Sequence, residues 1–233
     1  MAVVGNGISQ RPVHYDSSKV DLETLANEMA LLQIGDFEPL DFKVDVNQFM
    51  TEINQFSNQW VPYLPRPTSQ NNRKALTLTN LKGKSHTDSP SQAQAVAEMG
   101  RPVSELEFCH PTDAYRRCKS LHGVLETFSP LGRSFLLNAG IGGHFVPHRD
   151  HPTLPRKTFR LAVFLNNCAP MDYDWIMETD KKLPIEMGRL YYINTRKTHR
   201  TISWVNDSIH LIINVPMTSE NVAKVLYHLK HRH

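Results

Sequence analysis

Apolar residues recur at helical spacing near the start of the chain. From Asp21 to Leu32 they are Leu22, Leu25, Met29 and Leu32; from Asp45 to Phe56 they are Val46, Phe49, Met50, Ile53 and Phe56. Two amphipathic helices are predicted. The next stretch, 58–91, changes character: "PYLPRPTSQNNRK", alternating "ALTLTNL", then "KGKSHTDSPSQ", which reads as loop, strand, loop. "SQAQAVAEM" and "TDAYRRCKSLHGVLETF" are further helices, the second opening at Thr112 and presenting Tyr115, Cys118, Leu121, Leu125 and Phe128.

After Pro130 the period shortens. "RSFLLNAG", "TFRLAVFLNN", "DYDWIMET", "GRLYYINT", "RTISW" and "IHLIINV" are short β-branched or aromatic runs cut by Gly, Pro, Asn and Asp, the pattern of a sandwich or barrel of antiparallel strands. Ser219 to His228 predicts a closing helix. The fold class is therefore α+β with a mainly β core. Residues 1–129 form a mainly helical N-terminal region packed on a core of 130–233, integrated as one domain. No fixed-period repeat is present.

Bulk properties narrow the function classes. The 233 residues are 40% hydrophobic and 21% charged, enough to bury a core, and the formal charge of +3 with no long basic run gives no reason to expect a nucleic-acid partner. The three cysteines, Cys109, Cys118 and Cys168, show no CxxC and no even framework, which points to a reducing compartment. Neither a secretory leader nor an apolar run long enough for a membrane span is visible, so the expected location is cytoplasmic.

The chemistry concentrates in "FVPHRDH", Phe145 to His151. On an extended chain His148 and Asp150 project to one face while Arg149 points away. His199, on the rim between two later strands, can complete a two-histidine, one-carboxylate set, which leaves one face of an octahedral ion open and suits non-haem Fe(II) better than zinc. His144 and His151 flank the motif as pocket-rim residues lining the substrate entrance. Gly142, Gly143 and Pro147 argue against a helix that would add His144 to the ligands.

"VPHRDH", "FRLAVFLNN", "MGRLYYINTRKTHR" and "SIHLIINV" together resemble the C-terminal core of the aspartyl/asparaginyl β-hydroxylase-like Fe(II)/2-oxoglutarate dioxygenases, a group that includes free-proline cis-hydroxylases. The likeness spans roughly Phe135 to Val215. It implies a double-stranded β-helix, a cupin-like jelly roll holding Fe(II) on His148, Asp150 and His199. Its cosubstrates would be 2-oxoglutarate and O2, and the hydroxylated substrate an amino acid, an amino-acid derivative or a peptide residue. Arg160 matches the family's pocket arginine. Two positions depart: Ser208 stands where the family has the arginine that pairs with the distal carboxylate of 2-oxoglutarate, and Ala162 replaces a histidine.

A buried carboxylate needs a cation or several hydrogen bonds. Arg160 is the first candidate to compensate, joined by Ser208 and His210, which strand alternation turns the same way, and by Arg200; Arg149 is a candidate for a substrate carboxylate. The departures also admit a different function, a metal-binding cupin-like protein without oxygenase activity, either a hydrolase or isomerase or a small-molecule sensor. The loop "KGKSHTDSPSQ" fits a solvated lid. The oligomeric state is not encoded in any pattern found.

Overall fold

The computed structural model describes residues 21–63, 72–88, 91–150, 157–178 and 180–229. Six α-helices and twelve strands are formed among them. The N-terminal half holds α1 (Leu22–Ile34), β1 (Phe37–Lys43), α2 (Val46–Ile53), β2 (Val61–Pro62), β3 (Arg73–Thr77), β4 (Thr79–Asn80), α3 (Gln92–Met99), β5 (His110–Pro111), α4 (Asp113–Arg117) and α5 (His122–Thr127). The C-terminal half holds β6 (Phe135–Ala139), β7 (His144–His148), β8 (Thr158–Asn166), β9 (Tyr173–Met177), β10 (Arg189–Ile193), β11 (His199–Ser203), β12 (Ser208–Pro216) and α6 (Ser219–Tyr227).

Two antiparallel sheets face each other. The larger has seven strands in the order β1-β10-β8-β12-β6-β3-β2, and the smaller has three in the order β7-β11-β9. Strands consecutive in sequence alternate between the sheets from β6 to β12, as in a jelly roll. Side-chain parity sorts each strand of the large sheet. On β8, Leu161, Val163 and Leu165 join the layer under the helices, with Leu31, Phe49, Ile53, Leu121, Leu125 and Val225. Ala162 and Phe164 turn inward to meet Tyr173, Trp175 and Met177 of the small sheet.

The N-terminal helices start where polar caps stand. Asp21 accepts from Glu23 N, Asp45 from Gln48 N, and Ser91 forms a reciprocal capping box with Gln94. The boundary at residue 130 dissolves, because β1, β2 and β3 of the N-terminal region are strands of the large sheet. β1 carries Pro39, a residue with no N–H for a ladder, and it lies on the sheet's edge, where only one side needs pairing.

The helix expected from Thr112 to Phe128 is broken. Cys118 leaves the helical region at φ −85°, ψ 71°, and α4 and α5 are separate. Glu52 of α2 takes both the Ser120 N–H (2.9 Å) and its hydroxyl (2.7 Å), so that amide bonds across the helix layer rather than to the preceding turn.

Candidate metal centre

The small sheet creates the site by setting β7 against β11. His148 and His199 are register partners, and their rings lie 4.3 Å apart between centroids. A bulge precedes them: Thr201 is opposite Phe145, so three residues on β7 span the distance of two on β11. Pro147, without an N–H, suits such an unpaired position. The extra residue lets Phe145 and His148 both face inward although they are an odd number of residues apart.

Asp150 follows where the ladder ends. Its N–H donates to Thr195 O (2.9 Å), which ties the turn after β7 to the one after β10 and brings the carboxylate back to the histidines. His148 Nε2 and Asp150 Oδ1 are 3.5 Å apart, and one ligand atom from each of His148, Asp150 and His199 lies within 4.8 Å of the others. Both rings are held through Nδ1, which donates to Val146 O (2.8 Å) in His148 and to Lys197 O (3.1 Å) in His199. That choice leaves each Nε2 lone pair for an ion. The donor set, two imidazoles and one carboxylate with a side left open, fits Fe(II).

The electrostatics favour the ligand forms of Asp150 and His199, while His148 holds its proton more firmly than a free imidazole. Burial alone would raise the Asp150 carboxyl, but Arg160, whose Nη1 is 3.1 Å from Oδ2, and the two histidines hold it well below the usual carboxylate range. Burial pushes His199 down to about 4, so its ring is neutral at physiological pH. His148 is shifted the other way: burial opposes its charged form, yet the bonds to Asp150 and Val146 outweigh that and raise it. Trp175 stacks flat on His199 at 5.4 Å and 12°.

The N-terminal region supports the centre from outside. Arg196 and Lys197, just before His199, reach back to Glu28 of α1 (3.0 Å) and to Asp36 (2.8 Å), and Asn194 N donates to Asp36 O. The turn that carries His199 and the Asp150 anchor is thereby clamped to the helix layer.

The other candidates separate into three groups. Arg160 has the inward parity of Ala162 and Phe164 and meets Asp150, so its first partner is a ligand carboxylate. Ser208 and His210 are buried near the far end of the interior; the Ser208 hydroxyl lies 2.7 Å from Ser203 Oγ and donates to Asn167 O, while His210 packs against Phe164 and Tyr173. Arg200, Arg149 and His144 are not brought to the triad: Arg200 pairs with Asp180 (2.7 Å), Arg149 bonds Thr198 and approaches Glu178, and His144 is exposed on β7. His151 lies outside the described residues.

Motif reading missed a buried cation on β3. Arg73 has inward parity with Ala75, and its guanidinium sits 3.6 Å from the centroid of the Phe145 ring and 5.6 Å from that of Tyr63. An arginine at the inward position of a short apolar strand, "RKALT", was the available signal. Several polar atoms of the same interior lack a well-formed hydrogen bond: His210 Nδ1, Trp175 Nε1 and Tyr173 Oη, the last close enough to Thr201 for that hydroxyl to ease its ionisation. Buried polar atoms normally have partners, so this cluster is where a polar guest would find hydrogen bonds.

No model of a known protein family matches the sequence, and no curated protein does. Among solved structures, a prolyl hydroxylase from Trichoplax adhaerens, solved with a hypoxia inducible factor peptide fragment, is 11% identical, with 90% of this chain and 97% of that one covered and a TM-score of 0.47. A prolyl-4-hydroxylase from Pseudomonas putida is 12% identical over 82% and 98% of the two chains, with a TM-score of 0.41. An RmlC-like cupin from Desulfovibrio desulfuricans is 9% identical over 36% and 71%, with a TM-score of 0.27. Likenesses this distant say nothing about reaction or substrate, and the jelly roll rests on the strand order itself. Among the described residues no helix is long and apolar enough to cross a membrane.

Proposed function

We propose that the protein is an Fe(II)/2-oxoglutarate-dependent dioxygenase that hydroxylates an amino acid, an amino-acid derivative or a residue within a peptide. The observation that carries this reading is the triad His148, Asp150 and His199, with both rings tied back through Nδ1 and the carboxylate kept ionised. When bound, iron and 2-oxoglutarate supply the oxidising chemistry: one oxygen atom of O2 enters the substrate as a hydroxyl, the other enters succinate, and CO2 leaves.

The chain contributes position and dryness. Arg160 orients Asp150, Trp175 fixes the plane of His199, and the Thr195 carbonyl sets the turn of Asp150. Phe164, Met177, Tyr191 and Ile212 belong to the apolar packing of the interior, and a poorly hydrated surrounding strengthens each charge interaction inside it. No side chain is required to move a proton for C–H hydroxylation.

Purified protein supplied with Fe(II) is expected to convert 2-oxoglutarate to succinate only with the metal present, and His148→Ala or Asp150→Ala to abolish the conversion. Turnover undiminished in either variant would sink the triad assignment. The second reading, a cupin-like metal protein without oxygenase activity, is favoured by Ser208 and Ala162. It requires that the metal-loaded protein, kept anaerobic, show no saturable calorimetric binding of 2-oxoglutarate.

A further inference from the structure

We propose that Arg73, on a strand that precedes the jelly-roll motifs, binds the distal carboxylate of the cosubstrate and selects a 2-oxo dicarboxylate over a 2-oxo monocarboxylate. The proposal rests on the dioxygenase reading and assigns the anion site that Ser208 leaves without its own cation.

Register places the side chain. Arg73 of β3 is opposite Ala139 of β6, and Ala139 is opposite Ser208 of β12, so Arg73 stands two strands from Ser208 at the same level of the large sheet. Parity aims it between the sheets: Ala75 belongs to the inner layer, whereas Leu76 belongs to the layer under the helices. Only 6% of the residue is exposed.

A chain of ring contacts links it to the metal ligands. The guanidinium lies over Phe145 at 3.6 Å, and Phe145 stacks on His148 at 5.7 Å and 27°. A small molecule chelating an ion on the triad with its 2-oxo acid end, and extended along Phe145, would run toward Arg73. Its other end then meets a cation able to form a bidentate pair.

The neighbours complete a carboxylate site. Tyr173 and His210 both feel the positive charge of Arg73, and their rings lie 5.1 Å apart. Tyr173 Oη and His210 Nδ1 are among the buried polar atoms without a well-formed bond, on the side of the interior that Ser208 closes. Burial, then the charge of Arg73, keeps His210 neutral, so its ring offers one N–H and adds no second charge to the anion site.

Calorimetry on the full chain loaded with Mn(II), without O2, tests this by comparing 2-oxoglutarate with 2-oxopentanoate, which has the same length but no distal carboxylate. The parent is expected to prefer 2-oxoglutarate by about 30- to 100-fold, the effect of a charge-assisted pair. Arg73→Gln is expected to erase that preference while leaving 2-oxopentanoate affinity and the Mn(II) resonance signal unchanged. Should the glutamine variant fail to fold, Arg73→Met, which retains packing on Phe145, carries the same comparison. A preference kept in the variant overturns the role of Arg73 alone, as does an equal loss for both acids, which would make it only a support for Phe145. A parent protein that binds neither acid overturns the dioxygenase reading itself.

Discussion

Arg160 Nη1 lies 3.1 Å from Asp150 Oδ2, and the two side chains are only 18% and 13% exposed. The inward cation of β8 thus serves the metal-ligand carboxylate first. Breaking such a pair leaves a charge without its main compensation in a poorly hydrated place, at a cost of about 3 kcal/mol or more. Arg160→Gln is expected to lower the unfolding midpoint and weaken Mn(II) binding by about 10- to 100-fold, the usual effect of losing a group that orients a ligand. Arg200→Ala, which removes an exposed pair with Asp180, is the control: its cost should stay below about 1 kcal/mol, with metal affinity unchanged. Titration of both variants with Mn(II) checks the contrast, and equal losses would refute the assignment of Arg160.

His210 gives the metal-free protein an acid-sensitive core. Burial, then Arg73, depresses its folded pKa to about 3 from an ordinary 6.5, so on acidification the unfolded chain takes up the proton first. The contribution of this group is complete above about pH 6.5 and is lost as the pH falls toward 3, by at most about 1.4 kcal/mol per pH unit. His199 acts with the same sign down to about 4, while the raised His148 acts with the opposite sign above 6.5. Replacing His210 with Leu should flatten the acid limb, making the stability lost between pH 6.5 and 4.5 smaller by about 2 kcal/mol. Urea midpoints across that range measure it, and parallel limbs in the two proteins would show that His210 is not held neutral in the core.

The motif residues were legible because their information is local. Strand parity in "FVPHRDH" predicts that His148 and Asp150 turn together; the structure ends β7 at His148 and brings the Asp150 carboxylate back through a turn held on Thr195 O. Arg73 was hidden for the opposite reason. Its relation to Ser208 passes through Ala139, across two strand pairings that no local period encodes. The same holds for β1, where Pro39 obscures a strand that only an edge position permits, and for the broken helix, where Ser120 bonds the distant carboxylate of Glu52. Arg200 was drawn in by being adjacent to His199, yet adjacency along a strand means opposite faces.

Glu28 is 2% exposed and joins Arg196 at 3.0 Å, so a helix far from the motifs secures the turn that holds His199 and receives Asp150 N–H. Removing the acid strands a half-buried guanidinium and frees that turn. Glu28→Ala is expected to cost about 3 to 5 kcal/mol and to weaken metal binding as well. Glu28→Gln, which can still accept from Arg196, should cost less. Thermal melts with and without Mn(II) separate the two effects, because a clamp on the site predicts a smaller metal-induced shift in Glu28→Ala than in the parent. An equal shift would confine Glu28 to holding α1 in place.

Trp175 supplies an optical report on the ligand it covers. Its ring lies flat on His199, and its buried Nε1 has no hydrogen-bond partner, whereas Trp204 is 53% exposed beyond the end of β11 and Trp60 packs against the helix layer. An ion bound at Nε2 of His199 alters the charge within one ring contact of the indole and leaves the other two tryptophans in their original surroundings. Adding Mn(II) or Fe(II) anaerobically should therefore quench a blue-shifted component of the emission. Trp175→Phe should abolish the quench while metal affinity, followed by the Mn(II) resonance signal, falls by less than about tenfold, since a phenyl ring still packs on the imidazole. A quench that survives in Trp175→Phe would place the bound ion away from His199, and with it the centre of the site.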